Sequence, residues 1–183
     1  YYLKGVLENL FCRLRTFPVT FTPETADPIF HPGRTAAMEA DGVRLGIVGE
    51  LHPAVLENYE LPVKVTALEL DLDKLMELSG RPSAFKNLPK FPGIERDMAI
   101  LVRQDIPAAS IFETIRDAGG KLMCSVSLFD IYHGEQVPVG MQSMAFSLKF
   151  QADDRTLTDA EVGEKTEAIA GALSRKFGAE LRG

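Results

Sequence analysis

Between Arg96 and the C-terminus the hydrophobic period switches repeatedly between that of a strand and that of a helix, in an order few folds accept. "RDMAILVR" (Arg96 to Arg103) alternates as a strand. "PAASIFETIRDAGG" follows with Pro107 near a helix start and Gly119-Gly120 past its end. "MCSVSLFDIYHG" and "GMQSMAFSLKF" are rich in Val, Ile, Phe and Tyr, and supply two further strands around a loop carrying Gly134, Pro138 and Gly140. "TLTDAEV" opens a second helix. Thr158 is placed to cap it, Glu161 to complete a capping box, and Leu157 with Val162 to form a hydrophobic staple. Val162, Thr166, Ile169, Leu173 and Phe177 keep the helical spacing until Gly178, and "AELR" ends the chain as a short strand.

The order β-α-β-β-α-β is the split βαβ, ferredoxin-like arrangement, with both helices on one face of an antiparallel sheet. The expected fold class is therefore α+β with one open sheet face. In the strand before Phe150, Met144, Phe146, Leu148 and Phe150 alternate with Ser143, Ala145, Ser147 and Lys149, so one side is apolar and the other small and polar. RNA-binding modules, amino-acid sensors and iron–sulfur ferredoxins share this topology. Two isolated cysteines cannot hold a cluster, which removes the last.

"SGRPSAFKNLPKFPGIERD", Ser79 to Asp97, has linker composition and divides the chain near residue 85. We expect one domain over 1–80, a linker over 81–92 and a second domain over 93–183. In the first part, "YYLKGVLENLFCRL" sets Leu3, Val6, Leu7, Leu10, Phe11 and Leu14 on a helical face. "PVTFTPE" reads as a short strand, "TAAMEADGVRLGIVGEL" as a hairpin turning at Asp41-Gly42, "HPAVLENYEL" as a short helix, and "KVTALELDLDKLMEL" as a strand running into a helix.

With 183 residues, 45% of them apolar, the chain fills an ordinary core, and no apolar run approaches the roughly 18 to 20 residues of a membrane span. The opening Tyr-Tyr-Leu-Lys-Gly has neither a signal peptide's layout nor an initiator Met, so a piece of a longer protein is expected. Cys12 and Cys124 lie far apart without metal-ligand spacing, and are expected as reduced, buried thiols of a cytoplasmic protein. The net charge of −6 argues against coating nucleic acid by bulk electrostatics. From Lys90 onward 11 Lys and Arg face 14 Asp and Glu, so any RNA contact must be small or assisted by partners.

His31, His52 and His133 are too scattered for a metal site, and none is assigned. Arg34 follows a Pro-Gly turn, where it either holds an anion or pairs with a local acid. Glu69, Asp71 and Asp73 alternate as a solvated strand face. No nucleophile elbow, P-loop or Rossmann fingerprint is present, so no catalytic residue is assigned. Tyr132 ends the first strand of the hairpin. A period of two groups it with Asp130, Leu128 and Val126, against Phe129 and Ile131; both sets hold apolar residues, and a bulge is admissible. Tyr132 thus either packs over the loop or offers a ring to a base.

The stretches "PKFPGIERDMAILV", "LFDIYHGE", "SMAFSLKF", "RTLTDAEV" and "KFGAELRG" resemble the C-terminal ferredoxin-like anticodon-binding domain of the bacterial phenylalanyl-tRNA synthetase β-subunit family. "HPGRTAAM", "LGIVGELHPAVLENYELP" and "ALELDLDKL" resemble the end of that subunit's class II synthetase-like core. The resemblance implies a partial, antiparallel class II core without catalysis. Glu69 and Asp71 stand where a catalytic core has glycines, and Lys74 where it has an arginine. It implies Tyr132 stacking on an anticodon base of phenylalanine tRNA, Ser143 close to that base, and weaker phosphate contacts from Arg96, His133 and Lys149. It also implies an α subunit as partner in an α2β2 assembly, and a phenylalanine–tRNA ligase whose ATP and Mg2+ serve the holoenzyme, with no cofactor held by this chain. An amino-acid-sensing module and a purely structural assembly module are the alternatives.

Overall fold

The computed structural model describes residues 2–82, 89–134 and 136–182, and the chain divides into two compact units, 1–85 and 86–183. Residues 83–88 of the expected linker lie outside the described residues. Both units are α+β with antiparallel sheets, as expected.

The first unit opens with helix α1 (Tyr2–Leu14) and continues through a meander of β1 (Val19–Pro23), β2 (Phe30–Ala40), β3 (Val43–Leu51) and β4 (Thr66–Leu70), which neighbour one another in that order. Asp41 and Gly42 turn β2 into β3 with φ of 51° and 76°, the two left-handed residues that a tight Asp-Gly hairpin requires. Helix α2 (Pro53–Asn58) is capped by the His52 ring, which accepts from the Ala54 N–H, and helix α3 (Leu72–Glu77) by the Asp71 carboxylate. Leu7 and Phe11 of α1 pack with Met38, Leu45 and Leu75. The buried stripe of α1 is narrower than its apolar face: Leu3, Leu7, Phe11 and Leu14 turn inward, while Val6 and Leu10, displaced around the helix, stay exposed.

The second unit runs β5 (Ile94–Arg103), α4 (Ala108–Gly119), a 3-10 turn (Gly120–Leu122), β6 (Met123–Tyr132), β7 (Met141–Phe150), α5 (Asp159–Phe177) and β8 (Glu180–Arg182). The strand order β6-β7-β5-β8 puts the first and third strands at the centre, as the split βαβ topology demands. Met98, Ile100 and Val102 of β5 and Met144, Phe146, Leu148 and Phe150 of β7 form one sheet face. They pack with Ile111 and Ile115 of α4 and Val162, Ile169 and Leu173 of α5. Phe112 meets Phe146 edge to face, with centroids 5.5 Å apart. Both helices thus cover one face.

Helix α5 carries the expected capping box: Thr158 accepts from the Glu161 N–H, and the Glu161 carboxylate accepts from the Thr158 N–H. Leu157 and Val162 are both buried. The Arg155 guanidinium, and then the Thr158 donors, hold the Glu161 carboxyl down at about 2 from an ordinary 4.5. A depressed folded-state pKa adds stability that is complete above the unfolded value and is lost as pH falls from about 4.5 through about 2. We expect Glu161→Gln to flatten the acid limb of the stability profile over that window, read by urea unfolding at stepped pH; an unchanged limb would remove Glu161 from acid sensitivity.

The cysteine expectation needs correction. Cys12 and Cys124 are both exposed free thiols: Cys12 faces outward on α1, and Cys124 sits at a register shift in the edge strand β6. Among the described residues no helix is long and apolar enough to cross a membrane.

Candidate nucleic-acid interface

Register along β6 decides where Tyr132 points. Val126 lies opposite Leu148 and Leu128 opposite Phe146, so both face the core. The pairing then skips Phe129, and Asp130 lies opposite Ala145, Ile131 opposite Met144 and Tyr132 opposite Ser143. Phe129 is a bulge residue in an edge strand, where bulges concentrate. Without it, the period of two would put Tyr132 on the helix side with Val126 and Leu128. The bulge reverses the phase and turns Tyr132 onto the open face.

The open face has a small floor. One row across the sheet reads Tyr132, Ser143, Leu101 and Glu180, and the next reads Asp130, Ala145, Ala99 and Arg182. Ser143 is only 7% exposed, while Tyr132 keeps 43% of its surface accessible. The Arg182 guanidinium reaches across to stand 5.7 Å from the Tyr132 ring centroid, and its Nη2 donates to Gln136 Oε1 at 2.9 Å. Gly134 approaches the phenol end of the ring. Three cations on the strands of this face, Lys149, Arg182 and Arg103, stand against four carboxylates, Glu95, Asp97, Asp130 and Glu180, and Arg103 is already paired with Asp105. Such a surface suits stacking better than tracking phosphates.

The structure brings Tyr132 and Ser143 together as directly opposed residues, and disperses the other expected contacts. Lys149 shares the open face, six residues along β7 from Ser143 and hence about 20 Å away, with Nζ 3.2 Å from Glu95. Arg96 belongs to the other face: it lies opposite Leu148 and forms an ion pair with Asp159 in the first turn of α5. That separates Arg96 from Tyr132. His133 is exposed past the strand end, with Nε2 3.2 Å from Gln142 Oε1. Arg182 and Gln136 were not singled out in the sequence, and Gly134 only as a loop glycine. "AELR" signals a strand, but its pairing of Arg182 with Ala99 depends on long-range register.

In the first unit Arg34 pairs with Glu50 at 2.6 Å and holds the Glu50 carboxyl below its ordinary range, which is the local-acid reading. The His31 ring accepts from the Gly33 N–H. At the β4–α3 junction Asp71 accepts from the Lys74 N–H at 3.1 Å and pairs with its ammonium at 2.9 Å, and Lys74 lowers the Asp71 pKa. ATP does not fit these groups: the carboxylate is already spent on the helix cap, and lysine has no plane to lay over an adenine. Among the described residues no cluster of three His, Cys, Asp or Glu is placed to hold a metal.

The second unit is thus a ferredoxin-like α+β module whose helix-free face presents the Tyr132 ring over small residues. The model of the ferredoxin-fold anticodon binding domain matches residues 89–182, and the chain belongs to that family. The phenylalanyl tRNA synthetase beta chain CLM domain matches residues 1–72. Relatives named phenylalanine–tRNA ligase beta subunit align along the whole chain. That of Moorella thermoacetica is 47% identical over 182 residues, covering 100% of this chain and 23% of the relative. That of Clostridium tetani is 42% identical over 180 residues, covering 98% and 23%. That of Synechococcus elongatus is 41% identical over 186 residues, covering 100% and 23%. The chain therefore spans about a quarter of the length of these relatives, and the family resemblance carried by its motifs is borne out.

Proposed function

We propose that this chain is the non-catalytic C-terminal part of a phenylalanyl-tRNA synthetase β subunit, and that it reads the anticodon region of phenylalanine tRNA. Residues 93–183 serve as the anticodon-binding domain, 81–92 as linker, and 1–80 as the end of an inert class II synthetase-like core that helps assembly with an α subunit into α2β2. Phenylalanine activation, with its ATP and Mg2+, belongs to the α subunit in the cytoplasm. The observation that carries this reading is the exposed Tyr132 ring on a helix-free sheet face with a floor of Ser143, Ala145 and Ala99. An aromatic ring stacks any base face, and an overall acidic domain gains affinity that way without a basic groove. Ser143, directly opposite Tyr132, contacts the stacked base at its edge. Lys149 and His133 serve as peripheral phosphate contacts; Arg96, engaged with Asp159 on the helix side, contributes through the fold rather than to RNA.

Nucleotide-resolution protection of phenylalanine tRNA by the assembled α2β2 enzyme tests the reading. The anticodon is expected to be protected by the enzyme with wild-type β and to regain reactivity when Tyr132 is replaced by alanine. Protection that ignores the replacement would leave this unit an assembly module.

A further inference from the structure

We propose that Gly134 is a positioning residue for the Tyr132 ring: its missing side chain lets the β6–β7 loop close over the phenol and hold it at a set angle. The inference rests on the reading of Tyr132 as the base-stacking ring. A β-carbon built at 134 lies 2.6 Å from Tyr132 Cε1, and closer still to Cζ and the phenol oxygen. Gly134 is not among the glycines with positive φ, so space and not backbone conformation calls for glycine here.

The loop is fastened where it stands. The Gly134 carbonyl accepts from the Val137 N–H at 2.9 Å, the Pro138 carbonyl from the Met141 N–H at 3.0 Å, and the Gly140 carbonyl from the Gln104 N–H at 3.0 Å, just past β5. Gln136 accepts from Arg182, whose guanidinium stands over the same ring. Tyr132 is thus flanked by the loop at its phenol end and by Arg182 over its plane. With the loop tied at these points, a methyl group at 134 is relieved most readily by rotating the ring. Stacking tolerates little of that, because a recognition group must hold its geometry within about 10 to 20 degrees.

The test measures the dissociation constant of phenylalanine tRNA from the assembled α2β2 enzyme at one stated salt concentration. The β variants are Gly134→Ala, Tyr132→Ala, the double replacement, and Gly140→Ala. Gly140 lies in the same loop at φ +82° with nothing near its β-carbon position, so Gly140→Ala strains the loop without touching the ring. Gly134→Ala is expected to weaken binding about five-fold or more, the lower end of what one stacked base contributes. The double variant is expected to bind no worse than Tyr132→Ala alone, since a glycine acting through the ring has nothing to act on once the ring is gone. Gly140→Ala is expected to lose clearly less.

Wild-type binding by Gly134→Ala beside a weakened Tyr132→Ala would overturn the positioning role and leave the stacking reading intact. Additive losses in the double variant, or an equal loss in Gly140→Ala, would likewise overturn it, showing that Gly134 serves the loop and not the ring. If Tyr132→Ala itself binds normally, the stacking reading and the inference fall together.

Discussion

Tyr132→Ala in the assembled synthetase is expected to weaken binding of phenylalanine tRNA by roughly five- to 150-fold, the equivalent of about 1 to 3 kcal/mol for one base stacked on an aromatic ring. The ring lies at the end of β6, half-exposed on the open face, and it ranks among the exposed large hydrophobics of the second unit together with Phe129 and Ile131. Ile131 faces Met144 on the helix side, and Phe129, the bulge residue, stands opposite no residue of β7, whereas Tyr132 lies directly opposite Ser143. The loss should appear at low and at physiological salt with nearly the same salt slope, because removing a neutral ring releases no counterion. A slope reduced by about one would instead point to a lost phosphate contact, such as one made by Arg182 once its ring partner is gone. Assembly with the α subunit should be unchanged. An affinity within error of wild type would return Tyr132 to packing over the loop.

Phe146→Ala is expected to cost the second unit about 3 to 5 kcal/mol of stability, against the roughly 5 to 15 kcal/mol that holds an ordinary domain together. Phe146 is fully buried at the centre of β7, paired with Met98 on one side and Leu128 on the other, with Phe112 edge-on above it. Truncation leaves a cavity walled by both neighbouring strands and α4, where little can collapse inward. For a unit of this size such a loss lowers the unfolding midpoint by more than about 10 °C. Ser147→Ala, one residue along on the open face, should change stability by no more than about 0.5 kcal/mol. Calorimetry on the two variants separates a two-sided sheet from a one-sided one: comparable destabilisation would mean that the Ser147 face is also packed.

Elements whose apolar pattern is long and whose ends carry caps were legible in advance. Helix α5 was bounded by Thr158, Glu161 and Gly178, the β2–β3 turn by Asp41-Gly42, and the one-sided sheet by the alternation from Ser143 to Phe150, because each depends on neighbours a few residues away. The apolar face of α1 was overdrawn for a related reason. Periodicity counts residues around a helix but not how much of its circumference a sheet covers, so Val6 and Leu10 were assigned to a face that does not bury them. Cys12 and Cys124 were misread because a cysteine's average burial says nothing of its place on one helix or one edge strand.

The chain's own order of residues determined the βαββαβ succession, the apolar and small-polar sides of β7, the family, and the absence of a catalytic signature in its motifs. These follow from local periodicity and from short motifs, which a linear reading holds in full. Only the tertiary structure decided that Phe129 bulges and so turns Tyr132 outward, that Arg96 faces Asp159 instead of the open sheet, and that Arg182 and Gly134 flank the ring. Each of these rests on pairing between strands far apart in sequence. There a slip of one residue exchanges the two faces, and the balance is set by packing Leu128, Met144 and Phe146 into a shared core that no single segment contains.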